Sequence, residues 1–365
     1  MIQWLKKYWK WELLIGLTII IKLFSNSQDW VEKYYSNGFY PWFSRLLRLL
    51  FGWLPFSIGD LLYGILAVWI AVKVIKALIA LFKGKVTGQR LGSSCIKTIL
   101  LLLMIYVIFN IFWGINYNRK NLALQLELKQ DTFNLQDLKE INRLLVEKVN
   151  GAKQCLVNSN SPYPDNATLF RMVRSAYDEA EKQYPFLHYR PTALKSSMWG
   201  WIGNYTGFTG YYNPFSGEAQ VNTSVPRFLL PFTSCHEVGH QLGFAKENEA
   251  SFVGYLAAIA SKDTVFHYSV YLDLFLYANR TLALNAFLQH DTSSARFYKN
   301  ELIQPVKNDL DALRIFYEHH RNPVEPLVRK GYSLYLRSNQ QPHGLRSYDE
   351  VTDFIIAYYK KFGRI

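Results

Sequence analysis

The strongest chemical signal in the chain is His236-Glu237-Val238-Gly239-His240, an H-E-x-x-H pattern. On a helix, residues four apart share a face, so the two imidazoles would bind one zinc ion. Glu237 stands beside them, placed to take a proton from a zinc-bound water. Two histidines and one protein carboxylate leave a fourth position open for that water, the arrangement of catalytic rather than structural zinc.

The third ligand has to come from further along. Residues 236–246 read H-E-V-G-H-Q-L-G-F-A-K, close to the metzincin arrangement H-E-x-x-H-x-x-G-x-x-H. The last position is Lys246, whose protonated amine has no lone pair for zinc, and no methionine follows Met198 to build a methionine turn. Both facts exclude a metzincin. Gly243 lets the chain turn, and Glu247-Asn248-Glu249-Ala250-Ser251-Phe252 opens a new apolar-periodic segment. Glu249 is the preferred third ligand, with Glu247 as its rival.

These residues need helices to carry them. Two are expected near 234–242 and 249–261, and two earlier ones at 133–149 and 168–183 from apolar spacing. Residues 199–222 alternate Gly, Tyr and Phe around a turn at Asn213-Pro214-Phe215-Ser216-Gly217 and read as a β-hairpin. Residues 218–222 are the expected edge strand for an extended substrate. Ser347-Tyr348-Asp349-Glu350 has the pattern of a capping box for the last helix.

The first third is different. Half of the 365 residues are hydrophobic and 16% are aromatic, and apolar runs occupy 11–24, 58–82 and 96–115. The third run is long enough to span a bilayer, whereas the first is short. Residues 42–53 place Arg45 and Arg48 among apolar neighbours and read as an interfacial amphipathic helix. Lys83, Lys85 and Arg90 keep the loop between the second and third runs cytoplasmic, so everything after Tyr117 emerges outside. No A-x-A-like cleavage site follows the first run. The net charge of +13 is scattered at the ends of apolar runs, which fits lipid headgroups and excludes a nucleic-acid partner. Cys95, Cys155 and Cys235 are too few for a disulfide framework, with a Cys155–Cys235 pair left open.

The expected fold is α+β and mainly α. Residues 1–117 form a membrane domain of about three helices, and 118–365 a zincin-like domain with a small hairpin or sheet beside the H-E-x-x-H helix. The H-E-x-x-H followed by Glu249-Ala250-Ser251-Phe252 resembles the pairing of gluzincin-like bacterial peptidases, whose E-A glutamate is a metal ligand, which implies Glu249. The chain as a whole resembles an uncharacterised family of bacterial membrane proteins with a zinc-peptidase domain. The matching segments are Gly210 to Ala219, Leu230-Pro231-Phe232-Thr233, His267-Tyr268-Ser269 and Gly344 to Tyr348. Ser251 departs from a pattern that often has Asn, with no expected effect on a ligand. The resemblance implies a zinc-dependent peptidase in the cell membrane, acting on peptide or protein substrates outside the cytoplasm. A catalytically silent zinc-containing sensor is the competing reading, and an intact Glu237 weighs against it.

Overall fold

The computed structural model describes residues 2–84, 86–129, 133–160, 162–288 and 298–365, with side chains from residue 8 onward. Its longer elements are, in chain order, α1 (Ile2–Ser25), α2 (Tyr40–Phe51), α3 (Ile58–Phe82), α4 (Gly88–Phe112), α5 (Leu135–Ser159), α6 (Asn166–Glu181), β1 (Leu194–Ser196), α7 (Gly200–Thr206), β2 (Gly210–Asn213), β3 (Glu218–Val221), α8 (Leu230–Gln241), α9 (Glu247–Ala260), α10 (Thr264–Leu288), α11 (Gln304–His319), α12 (Glu325–Ser338) and α13 (Val351–Phe362). The architecture is mainly helical with one small sheet.

Helices α3 and α4 begin at side-chain caps: Ser57 Oγ accepts from Asp60 N, and Thr87 Oγ1 accepts from Arg90 N. Each has 25 residues, about 37 Å at 1.5 Å per residue, and their most apolar stretches have mean hydropathy 2.4. These stretches are 0% and 6% buried, so the two helices turn apolar side chains outward in nearly every direction. A core helix of this composition would be covered by protein. Among the described residues, these two helices have the length and composition to cross a membrane. Helix α1 falls short of that standard but runs beside α4 in the same direction. Trp9 and Lys10 line a groove with Lys97, and further along Lys22 lies over the ring of Tyr106.

Helix α2 is sided in an unusual sense. Tyr40, Ser44, Leu47 and Arg48 are buried against the rest of the protein, while Trp42, Leu49 and Trp53 are exposed. Ser44 and Arg48 thus face inward while Trp42, Leu49 and Leu50 face outward beside exposed Arg45, a mixed apolar and basic outer face.

The sheet has the order β1-β3-β2, with β1 parallel and β2 antiparallel to β3. The hairpin forms, with Asn213 Oδ1 accepting from Phe215 N and Ser216 N in its turn. It starts later than expected, because residues 200–206 are helical. Strand β3 lies in the middle of the sheet, and all four of its residues are buried. The 218–222 segment is therefore not the edge; β2 is. Asn222 N donates to Thr209 O, which sets the alternation: Tyr211 pairs with Gln220 through hydrogen bonds, and the backbone groups of Gly210 and Tyr212 point away from β3.

Helices α8 and α9 approach closely where glycines face each other's backbone. A Cβ on Gly254 would lie 3.0 Å from His236 N, and one on Gly239 would lie 3.0 Å from Ala250 O. The remaining helices complete one apolar core, in which Phe252, Tyr255, Phe266, Phe275 and Phe354 are fully buried. The capping box at Ser347 does not form: α13 starts at Val351 without a side-chain cap, and the Ser347 hydroxyl is buried without a partner among the described residues. The three cysteines are free, with Cys155 exposed and Cys235 buried.

Residues before 118 are more than an anchor. Glu218 on β3 accepts from Gly59 N (2.7 Å), Ile58 N (3.2 Å) and Ser57 Oγ (3.4 Å) at the start of α3. Asp60 accepts from Met198 N at 2.6 Å and also from the Tyr211 hydroxyl. Lys195 Nζ donates to the carbonyls of Gly52 and Leu54. The division expected after residue 117 is crossed by this hydrogen-bonded seam.

Candidate metal centre

Helix α8 carries His236, Glu237 and His240, all buried. The helix ends in a Schellman turn: Gly243 has φ +91°, Gly243 N donates to His240 O at 2.9 Å, and Phe244 N to Gly239 O at 3.1 Å. A Cβ at Gly243 would stand 2.8 Å from the ring of Tyr40 as well as straining the backbone. This turn brings the Phe244 carbonyl back to His240, 2.8 Å from Nδ1, and the Ser251 hydroxyl on α9 lies 3.1 Å from Nδ1 of His236. Both imidazoles are thereby oriented with Nε2 toward one point.

That point is completed by Glu247. Its Oε2 lies 3.3 Å from His236 Nε2 and 3.2 Å from His240 Nε2. Ligand bonds of about 2.0–2.2 Å at tetrahedral angles separate donor atoms by about 3.3–3.6 Å, so the spacing fits a zinc-sized ion. The other oxygen, Oε1, accepts from the Tyr332 hydroxyl at 2.7 Å, and Glu247 N is held by Gln341 Oε1 at 3.0 Å. His236, His240 and Glu247 form a buried group able to hold a metal ion.

Glu249, the preferred third ligand, does not join them. Two residues along a helix is a rotation of about 200°, so Glu249 faces away from Glu247. Its Oε1 accepts from Leu122 N at 3.1 Å and lies 3.9 Å from Lys246 Nζ. The apolar pattern of α9 could not choose between the two, because both glutamates are buried. The choice rests on where α9 crosses α8.

Electrostatics within the group reflect four ionisable side chains packed together. Burial, reinforced by the Glu247 carboxylate and opposed by His240, pushes Glu237 up to about 8. Burial works against protonation of His240, but the charge and hydrogen bond of Glu247 outweigh it and raise the imidazole to about 9. His236 is lowered, chiefly by burial. Glu247 is held well below the usual carboxylate range: burial opposes ionisation, and the two histidines prevail. A buried carboxylate held ionised between two imidazoles, as this one is, could also hold a metal cation.

Glu237 lies against the edge strand. A Cβ at Gly210 would be 2.5 Å from its Oε1, so only glycine leaves room for it there. Its other oxygen, Oε2, is buried without a partner among the described residues. Both Glu237 and His236 line a cavity of about 330 Å³, together with Thr209 and Gly210 of the edge segment and Tyr332 and Tyr348.

Residues 35–356 match the family described as a protein of unknown function, DUF3810. The chain belongs to this family. No match was found among curated proteins or solved structures. The DUF3810 match starts within the segment that leads into α2 and ends within α13, so it takes in both apolar helices and the His236, His240 and Glu247 group.

Sequence reasoning missed three DUF3810 residues that build this centre. Ser251 touches His236 directly, although its departure from the usual Asn was expected to be without effect. Tyr348 stacks on the His236 ring with centroids 6.0 Å apart and planes at 19°. Tyr332 holds Glu247. Tyr348 falls in the 344–348 segment that carries the family resemblance, and that was the available signal; a tyrosine at 332 had none. In the matching segment His267-Tyr268-Ser269, His267 Nε2 is 2.8 Å from Ser261 O and Tyr268 donates to Asp309, so neither side chain joins the group.

Proposed function

We propose that this protein is a membrane-anchored zinc-dependent peptidase, with His236, His240 and Glu247 as metal ligands and Glu237 as general base. The observation that carries the reading is the placement of Glu237. It is a buried carboxylate one residue from a metal ligand, with an oxygen free, on the wall of a cavity beside an open strand edge.

A zinc ion in this donor set would lower the pKa of a bound water and polarise a scissile carbonyl. Everything else falls to the chain's own side chains. Glu237 Oε2 takes the proton from the attacking water and delivers it to the departing amine. The outward backbone groups of Gly210 and Tyr212 pair with an extended peptide and lay it across the cavity. Tyr348, whose hydroxyl lies 3.4 Å from that of Tyr332, supplies a donor where negative charge develops, while the Tyr332 proton stays on Glu247. Burial, with the nearby Glu247 charge, raises both phenols well above their ordinary range, so they remain donors throughout the working pH.

Helices α3 and α4 hold this unit at the bilayer, with Lys83, Lys85 and Arg90 between them in the cytoplasm and the metal centre outside. The support lies in the outward apolar surfaces of both helices and in the seam at residues 57–60, which puts the start of α3 against the sheet.

The test is digestion of a peptide library by the full-length protein in detergent, loaded with zinc. Cleavage that disappears in Glu237→Gln while bound zinc is retained is the expected result. Cleavage unchanged in Glu237→Gln would overturn the assignment of the base, and a zinc-loaded wild type that cuts nothing would favour a silent zinc protein.

A further inference from the structure

We infer that α7 and α12 lie in the headgroup layer of the bilayer that α3 and α4 cross, so that the cleft over Glu237 opens at the lipid surface. The inference rests on the membrane-anchored reading and extends it to the surface that surrounds the cleft.

Thr206 and Gly207 at the end of α7 and Arg329 and Tyr332 on α12 are among the residues that line the cavity. Both helices expose large apolar side chains to either side of it. Trp201 on α7 is 60% exposed, and Leu327 and Leu334 on α12 are 70% and 55% exposed. Leu327 and Leu334 are seven residues apart and share one face of α12. Lys330 and Arg337, each three residues from one of these leucines, flank that face, giving the apolar and basic composition of a helix that rests on an anionic lipid surface.

Position identifies the occupant. Asp60, in the first turn of α3, accepts from Met198 N at 2.6 Å, and its carbonyl accepts from Trp199 Nε1 at 3.0 Å, immediately before α7 begins. At the far side, Tyr335 of α12 meets the ring of Phe109 near the end of α4, with centroids 6.4 Å apart, and its hydroxyl is 3.1 Å from that of Tyr117. Asn322, in the turn just before α12, donates its Nδ2 to Tyr205 O on α7 at 2.7 Å. The exposed apolar rim is thus fastened to the same ends of both apolar helices, at the level where they leave the bilayer. A chain lying on the membrane would reach Glu237 without first crossing a stretch of water, which makes membrane-proximal peptide segments the natural substrates of the site.

The experiment uses the full chain with Cys95→Ser and Cys155→Ser, labelled with the fluorophore NBD at Leu327→Cys. The control is the same label at Arg143→Cys on α5, which packs against α10, α11 and α13. Each protein is reconstituted into vesicles of phosphatidylcholine and phosphatidylglycerol, with and without a lipid carrying a nitroxide near its headgroup. Nitroxide should quench the label at 327 about threefold or more over that at 143. Equal quenching at the two positions would overturn the inference. So would a label at 327 that is shielded from water yet not quenched, because a second copy or another protein would then cover the rim. Quenching needs neither bound metal nor turnover, so it succeeds or fails separately from the peptidase assay.

Discussion

Replacing Glu247 by Gln while leaving Glu249 intact, and the reverse, separates the geometry of the centre from the pattern of its sequence. Glu247 Oε2 is 3.2–3.3 Å from both imidazole Nε2 atoms, so in the proposed centre it would contribute one of three protein bonds to the ion. Apparent zinc free energies of about 10–16 kcal/mol spread over four ligands give about 3–4 kcal/mol for each, so Glu247→Gln should weaken zinc binding about 10²–10³-fold. Ser251→Ala removes only the hydroxyl against His236 Nδ1, and the loss should fall to about 10–100-fold. Glu249→Gln keeps an amide oxygen for Leu122 N and should leave zinc affinity within about twofold, at a stability cost of about 1 kcal/mol. Affinity is measured on the full-length protein by competition with a chromogenic chelator, with thermal unfolding alongside to exclude global collapse. A Glu249→Gln protein that folds but loses zinc, next to a Glu247→Gln protein that keeps it, would refute the assignment.

Three further outcomes follow from other parts of the molecule. Gly210→Ala pushes a methyl group into the Glu237 carboxylate, and turnover should drop by about 10²-fold with zinc content unchanged, read from kcat and metal analysis on the same sample. Burial holds the Asp273 carboxyl up to about 7, against the opposing influence of Tyr277 and Arg280. Because the folded protein binds that proton more tightly than the unfolded chain, its contribution to stability is full below about pH 4 and is lost as pH rises through about 7. Tm should therefore decline across that window, and Asp273→Asn should flatten the decline. Finally, residues 118–365 expressed alone leave buried Glu218 without its donors from Ser57, Ile58 and Gly59, and circular dichroism should show no cooperative unfolding transition. A zinc-binding fragment that melts cooperatively would contradict the importance given to the seam.

Local patterns in the sequence were informative wherever one segment alone determines the outcome. Helix α3 occupies 58–82 as its apolar run implies, and α8 presents His236 and His240 together because an i, i+4 spacing demands it. The choice between Glu247 and Glu249 was beyond reach, since it depends on the angle at which α9 meets α8, set by close contact at Gly239 and Gly254. The sheet failed for a similar reason. Residues 194–196 are too short to read as a strand, yet their parallel pairing moves 218–221 from the edge to the centre. Helix α7 was taken for strand because its Gly, Trp and Tyr content imitates one, and its seven residues leave little periodicity to correct the impression.

The seam between residues 40–60 or 113 and the sheet and α8 also bears on how the molecule is made. The carbonyl of Gln241, last residue of α8, accepts from the hydroxyls of Tyr40 and Ser44, and that of His240 from Trp113 Nε1. All three donors leave the ribosome long before the histidines do. The early segments are thus available as a template on which the later ones close, and a chain whose first third has gone astray lacks the groups that finish the metal-bearing helix. Completion of the helix that carries His236 and His240 is in this way tied to correct placement of the first third of the chain.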